Sequence, residues 1–220
     1  MDERRRSSEQ RQGELIDAAL AIIANEGISA LTTRSLARRV GLSSGAIFRH
    51  FPSIDAVLDA VASRVEAVLD ATYPEARLGP RERLEEFVRA RSAAVGQQVG
   101  ILRLVPSEQF MFALPPESAS RLAGCVKKTT AFVLGCLREG QAIGVFRDDV
   151  DANALAVVVM GTTRMLALSS SAPGPGGRDG APDARAVREA LLTVLAPTGA
   201  KHVASSKPHE RTRRRHGRSG

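Results

Sequence analysis

The sequence has no tryptophan, one tyrosine and seven phenylalanines. Strands favour aromatic and β-branched residues, so this poverty argues against a β-sandwich or an aromatic-lined barrel. Two cysteines are too few for a disulfide scaffold or a Cys-rich zinc module. The longest uninterrupted apolar runs, such as residues 154–161, are too short to span a bilayer. The first ten residues, MDERRRSSEQ, lack the apolar stretch of a signal peptide. These absences predict a cytoplasmic protein with no membrane partner.

What is present favours helix. Ala, Leu, Arg and Glu are abundant, and 43% of the 220 residues are hydrophobic. That is enough for one large or two small domains. The net charge of +7 is unevenly placed, because residues 197–220 hold seven Lys and Arg against one Glu. The rest of the chain is close to neutral. A pI near 10.4 is therefore mostly a property of the tail and does not by itself mark the body as a nucleic-acid binder.

Apolar residues recur at helical spacing almost throughout, and no period-2 run stands out. Leu15, Ala19, Ile22 and Ile23 form one stripe, closed by Asn25, Glu26 and Gly27. Ile54, Val57, Leu58, Val61, Val65, Val68 and Leu69 form a second, with Ser53 as its cap and Asp55 at the positive end of its dipole. Further stripes run from Leu84 to Val99, Leu122 to Leu137, Leu155 to Leu166 and Val187 to Leu195. Pro74, Pro80, Pro106 and the pair Pro115-Pro116 break the pattern, with Pro106 also readable as a kink. Residues 169–182 read as a flexible connection, and residues 197–220 as a disordered basic tail.

Residues 31–58 stand apart. Two short helical patterns lie a turn apart, one around Leu36, Ala37 and Val40, the next around Ala46, Ile47 and His50. A helix-turn-helix needs a small residue where its helices cross, glycine in the turn and an apolar residue on the inner face of the second helix. Ala37, Gly41 and Ile47 supply these, and Ser43 or Ser44 can cap the second helix. A pair of ordinary short helices in an all-α protein satisfies the same spacing.

The wider segment resembles the TetR family of bacterial transcriptional regulators. The likeness is carried by Ala37-x-x-x-Gly41-Leu42-Ser43, by Phe48-Arg49-His50-Phe51 and by the Phe51-Pro52-Ser53 that follows, over roughly residues 9–70. It implies an all-α fold of about nine helices. An N-terminal three-helix unit at 9–70 would bind DNA, a helical body at 71–196 would bind a ligand and dimerise, and the tail would follow at 197–220. Position by position, Thr32 and Thr33 would start the second helix and hold phosphate, and Arg34 would flank the DNA backbone. Ser43, Ser44, Gly45 and Ala46 would open the recognition helix in the major groove. Phe48, Arg49 and His50 would lie along its outer and backbone-facing side. Two departures stand out: Phe48 replaces the usual Tyr and Ile54 the usual Lys, so two phosphate contacts are expected to be missing. Arg49, Arg4 to Arg6 or the basic tail can compensate.

Other residues carry two readings each. His50 is a phosphate ligand or a packed histidine beside Phe51, and it has no partner at metal-ligand spacing. Cys125 and Cys136 are core thiols or an oxidant sensor. About 16 Å of helical rise between them forbids a mutual disulfide. Phe110, Met111, Phe132 and Met160 line a ligand cavity or fill a core. Arg164 binds an anionic ligand or an ion-pair partner at a dimer seam. Arg211 to Arg215 attract nucleic acid or are simply solvated.

The expected function is a homodimeric regulator, a repressor, that reads two half-sites of a palindromic operator in double-stranded DNA and is released by an unknown small-molecule effector. No cofactor, metal site or catalytic residue is expected. No nucleophile–base pair, metal spacing or phosphate-binding glycine loop supports the rival reading as an all-α enzyme. A second rival is an architectural DNA binder without an effector. A large apolar cavity in the body would count against it.

Overall fold

A computed structural model describes residues 2–97, 101, 108–170 and 183–198. Most of the expected connection at 169–182, Pro106, Val99 and the tail beyond residue 198 lie outside the described residues. Among those described, nine α-helices and one 3₁₀ turn are present and no strand.

Helix α1 spans Asp2–Glu26, longer than its apolar stripe, which begins only at Leu15. Gly27, at φ 88°, ends it, and the turn Ile28–Ala30 leads into α2, Thr33–Val40. Thr32 caps α2: its hydroxyl accepts from the Ser35 amide at 3.0 Å, and the Ser35 hydroxyl accepts from the Thr32 amide at 2.9 Å. Gly41 closes α2 in the left-handed region at φ 69°, which lets the Leu42 amide reach the Ala37 carbonyl at 2.9 Å. Helix α3 is a single turn, Ser44–Ile47, and α4 follows at Ile54–Asp70 under its Ser53 cap.

The body contains α5 (Pro80–Gln97), α6 (Glu108–Ala113), α7 (Pro116–Ala142), α8 (Ala152–Ser170) and α9 (Ala184–Leu195). Two apolar cores form. The first joins Leu15, Ala19 and Ile22 of α1 to Leu36, Ile47, Val57, Val61 and Val65. It continues past residue 70, taking in Phe110, Leu114, Leu122 and Cys125. The second packs Leu84, Phe87 and Val88 of α5 against Val133, Leu137, Phe146, Leu155, Val159, Leu191 and Leu195.

The last two stripes each split into an inner and an outer row. On α8, Leu155, Val159 and Leu166 are buried, whereas Val157, Val158, Met165 and Leu168 are exposed. On α9, Leu191 and Leu195 are buried and Val194 is exposed. Periodicity alone had merged these rows. Helix α8 also carries an 18-residue window of mean hydropathy 1.4, long and apolar enough for a membrane span, which uninterrupted runs did not reveal. That window packs against α5, α7 and α9, with 39% of it buried.

Candidate functional site

The helix-turn-helix is rigid on its inner side and open on its outer side. Ser43 caps α3 by accepting the Ala46 amide at 3.2 Å. The turn is continued by Arg49 N–H to Ala46 carbonyl, His50 N–H to Ile47 carbonyl and Phe51 N–H to Ile47 carbonyl, at 3.3, 2.9 and 3.0 Å. Ile47 and Phe51 point into the first core. Ser43, Ser44, Gly45, Phe48 and Arg49 face outward, and Phe48 is 52% exposed, an unusual position for a large apolar ring. Ala46 is half-buried.

Behind α3, Thr32 and Arg34 are exposed and Thr33 half-buried. The Thr32 hydroxyl is already engaged with Ser35, so its first duty is to the helix end. Arg34 and Arg49 have no ion-pair partner among the described residues, whereas Arg39 is paired with Glu26 at 3.4 Å. Arg38, one turn after Arg34, is also exposed, and sequence reasoning passed over it. Its signal was the i, i+4 spacing of two arginines on a helix with only Leu36, Ala37 and Val40 turned inward.

His50 is half-buried. Its carbonyl accepts from the Gln12 side chain of α1 at 3.2 Å, and its Nδ1 is enclosed without a hydrogen-bond partner. Ile54, the first residue of α4, is also half-buried and packs on the first core.

The body holds a cavity of about 520 Å³ between α4, α5, α7 and α8, within the size range of small-molecule sites. Met160 and Arg164 line it. Met111 instead lines a neighbouring hollow of about 340 Å³ with Leu122 and Val126. Phe110 and Phe132 need correction. Phe110 is 1% exposed inside the first core and lines neither of these two hollows. Phe132 sits behind the wall, its ring 5.2 Å from Tyr73 and 5.1 Å from Phe87, and it is Phe87 that faces the cavity. The wall residues that sequence reasoning missed include Arg91 and Thr163, both buried.

Cys125 and Cys136 lie in different cores, and burial pushes both thiols above their ordinary range. Thiolate is the reactive form, so both are poorly suited to sensing oxidants.

Residues 15–61 match the family described as bacterial regulatory proteins, tetR family. The HTH-type transcriptional repressor KstR2 of Mycobacterium tuberculosis is 27% identical over 156 residues, covering 70% of this chain and 78% of that one. The solved structure of the ketosteroid transcriptional regulator KstR2 of Mycobacterium tuberculosis superposes with a TM-score of 0.70 at 25% identity, over 84% of this chain and 95% of the other. Residues 15–61 are thus a DNA-binding domain of the TetR family. The chain is a DNA-binding transcriptional regulator. The nucleoid occlusion factor SlmA of Aliivibrio fischeri is 29% identical over 111 residues, covering 46% of this chain and 54% of that one. The structure of AibR with isovaleryl coenzyme A and operator DNA shares the fold, with a TM-score of 0.68 at 16% identity over 84% of this chain and 98% of that one.

Helix α4 joins the helix-turn-helix to the body through polar bridges to α7. Asp59 accepts from the Ser118 hydroxyl at 2.6 Å and from Arg121 at 2.8 Å, and Asp70 accepts from Lys128 at 2.7 Å. The Ser118 hydroxyl and then Arg121 hold the Asp59 carboxyl below its ordinary value. A depressed carboxyl stabilises the fold above its unfolded value of about 3.9, and that contribution is lost as pH falls through the folded value. Asp59 is half-exposed, so solvent screening keeps the effect small. Asp59→Asn is expected to cost under about 1 kcal/mol at pH 7, with the gap to the parent closing as pH drops below about 4. Urea unfolding at both pH values checks this, and a gap that widens in acid refutes it.

Proposed function

We propose that the chain is a homodimeric repressor whose two α3 helices enter successive major grooves of a palindromic operator, and that a small molecule in the body cavity releases it. The observation that carries this reading is the outward row Ser44, Gly45, Phe48 and Arg49 on a turn whose inner side is fixed by Ile47 and Phe51. Ser43, Ser44, Gly45 and Ala46 open that turn toward base edges. Thr32, Thr33, Arg34, Arg49 and His50 face the flanking phosphates, and Arg38 joins them. Such contacts set register, while the few base contacts set sequence. The exposed rows of α8 and α9 form the dimer seam. Residues 9–70 act as the DNA-binding unit and 71–196 as the ligand-binding and dimerising body. Isolation of the genomic DNA bound by the full chain tests the reading. A shared palindrome with half-sites about one helical turn apart supports it, and binding without sequence preference overturns it.

A second reading is an architectural DNA binder without an effector. The cavity of about 520 Å³ weighs against it.

One substitution probes the register. Ile54 stands where the family usually has Lys, and its half-burial leaves room for a Lys stem to lie on the core with its ammonium in water. Ile54→Lys is expected to tighten binding to operator and random duplex by similar factors. The slope of log affinity against log salt should steepen by roughly 1 to 2 units per dimer, at about 0.9 per phosphate. A folded variant with an unchanged slope would remove position 54 from the backbone-facing surface.

A further inference from the structure

Arg91 is the least expected residue in the body. It lies on α5, is 7% exposed and forms part of the cavity wall. Its Nε donates to the Thr72 hydroxyl at 2.7 Å, and one terminal nitrogen donates to the Leu69 carbonyl at 3.0 Å. The guanidinium carbon stands 4.9 Å from the Phe87 ring centre and 5.3 Å from that of Tyr73. No carboxylate pairs with it among the described residues, and the nearby Asp70 is taken by Lys128. A guanidinium carries five N–H donors. Thr72, the Leu69 carbonyl and the Tyr73 side chain engage only some of them, and the guanidinium lines a cavity whose other walls include Leu69, Val95, Ile101, Met160 and Ala167.

A buried charge without a counter-ion is costly, and proteins retain one where something pairs with it. Here α4 supplies only part of the compensation, through the partial negative charge at its C-terminal end. Burial acts on Arg91 in the opposite direction and works against its charged form. Among the described residues, the lining includes a second arginine, Arg164 on α8, and no acidic residue. An apolar volume with positive charge in its wall and no negative charge selects an apolar molecule that ends in an anion.

We propose that the effector is an organic acid, with a hydrocarbon body in the cavity and one carboxylate bound by Arg91. This rests on reading the cavity as the effector site. Carboxylate and guanidinium meet in a planar, bidentate arrangement, which a hydroxyl or an ester cannot reproduce. Arg91 holds Leu69 and Thr72 with its other donors, so the acid is bound by the side chain that anchors the end of α4. Ile47 of the recognition turn and Val57 near the start of that same helix lie in one core.

The test uses the full chain, titrated calorimetrically at pH 7.5 with dodecanoic acid, abietic acid and the methyl ester of each. At least one acid is expected to bind tenfold or more tighter than its own ester, the scale of a charge-assisted hydrogen bond. Arg91→Gln should abolish that difference and leave the ester affinity within about twofold. Should Arg91→Gln unfold, Arg91→Lys keeps the charge without the fork, and its acid-to-ester ratio should fall between one and the parent value. Acid and ester binding equally in the parent overturns the anion assignment and leaves the cavity as a ligand site. No binding by any of the four overturns both readings. A preference that survives Arg91→Gln but is lost in Arg164→Gln overturns the assignment to Arg91.

Discussion

Val158→Glu combined with Met165→Glu is expected to give a folded single subunit that binds its operator about 10² to 10⁴-fold more weakly. The two residues lie seven apart on the outer row of α8, 44% and 59% exposed in the isolated chain. Both would be buried in a dimer that closes this face, together with Ala154, Gly161 and Leu168. Two unpaired carboxylates in an apolar seam cost several kcal/mol each, roughly 3–5 in comparable buried settings. The subunit's own core is untouched, because Leu155, Val159 and Leu166 face the other way. Losing the partner separates the half-sites into independent events, which removes the effective concentration that joins them. Sedimentation velocity and operator titration check this together. A variant that still sediments as a dimer would move the seam elsewhere. Leu191→Glu, which periodicity alone recommends equally, would be uninformative. Leu191 is 6% exposed in the second core, with Leu84 and Val88 in the same cluster, so a charge there attacks the subunit itself.

Arg34→Ala with Arg49→Ala should weaken operator and random duplex alike, by roughly 10³-fold at about 0.1 M salt. Both arginines are exposed and unpaired among the described residues, one on α2 and the other on the recognition turn. A dimer would lose four phosphate contacts, and at about 0.9 per contact the salt slope should become shallower by roughly 3 to 4 units. Exposed substitutions of this kind usually move stability by less than about 0.5 kcal/mol, so thermal unfolding should be nearly unchanged. Filter binding across a salt series measures the slope. An unchanged slope would refute the backbone role. A loss confined to one operator position would make Arg49 a base-reading residue instead.

The helix-turn-helix was legible because its evidence is local. Ala37, Gly41, Ser43 and Ile47 each answer a requirement set by neighbours within ten residues, and the structure meets each requirement with the residue expected. The long stripes were legible as helices for the same reason. Which side of an apolar helix faces its own chain was not legible, since Leu191 and Val194 differ only in what lies across from them. Phe110 was misplaced on the same ground: aromatic residues near a methionine fit a core and a cavity equally well. Arg91 was invisible because α5 is rich in charge, and Phe87, one turn earlier, covers only one side of it. Thr72 and Tyr73, about twenty residues earlier, enclose it only after the chain has folded back.

The recognition turn has four helical residues, far fewer than an isolated helix needs to hold its shape in water. Its conformation is therefore lent by the surroundings, chiefly Ile47, Phe51 and the Ser43 cap. Its outward side chains contribute almost nothing to that loan. If the outward row reads the operator as proposed, operator preference and thermal stability are carried by separate residues, and substitutions at 44, 45, 48 and 49 are expected to redirect the protein to a new DNA sequence without endangering the fold. A lineage of such chains is free to drift in what it reads while keeping how it is built.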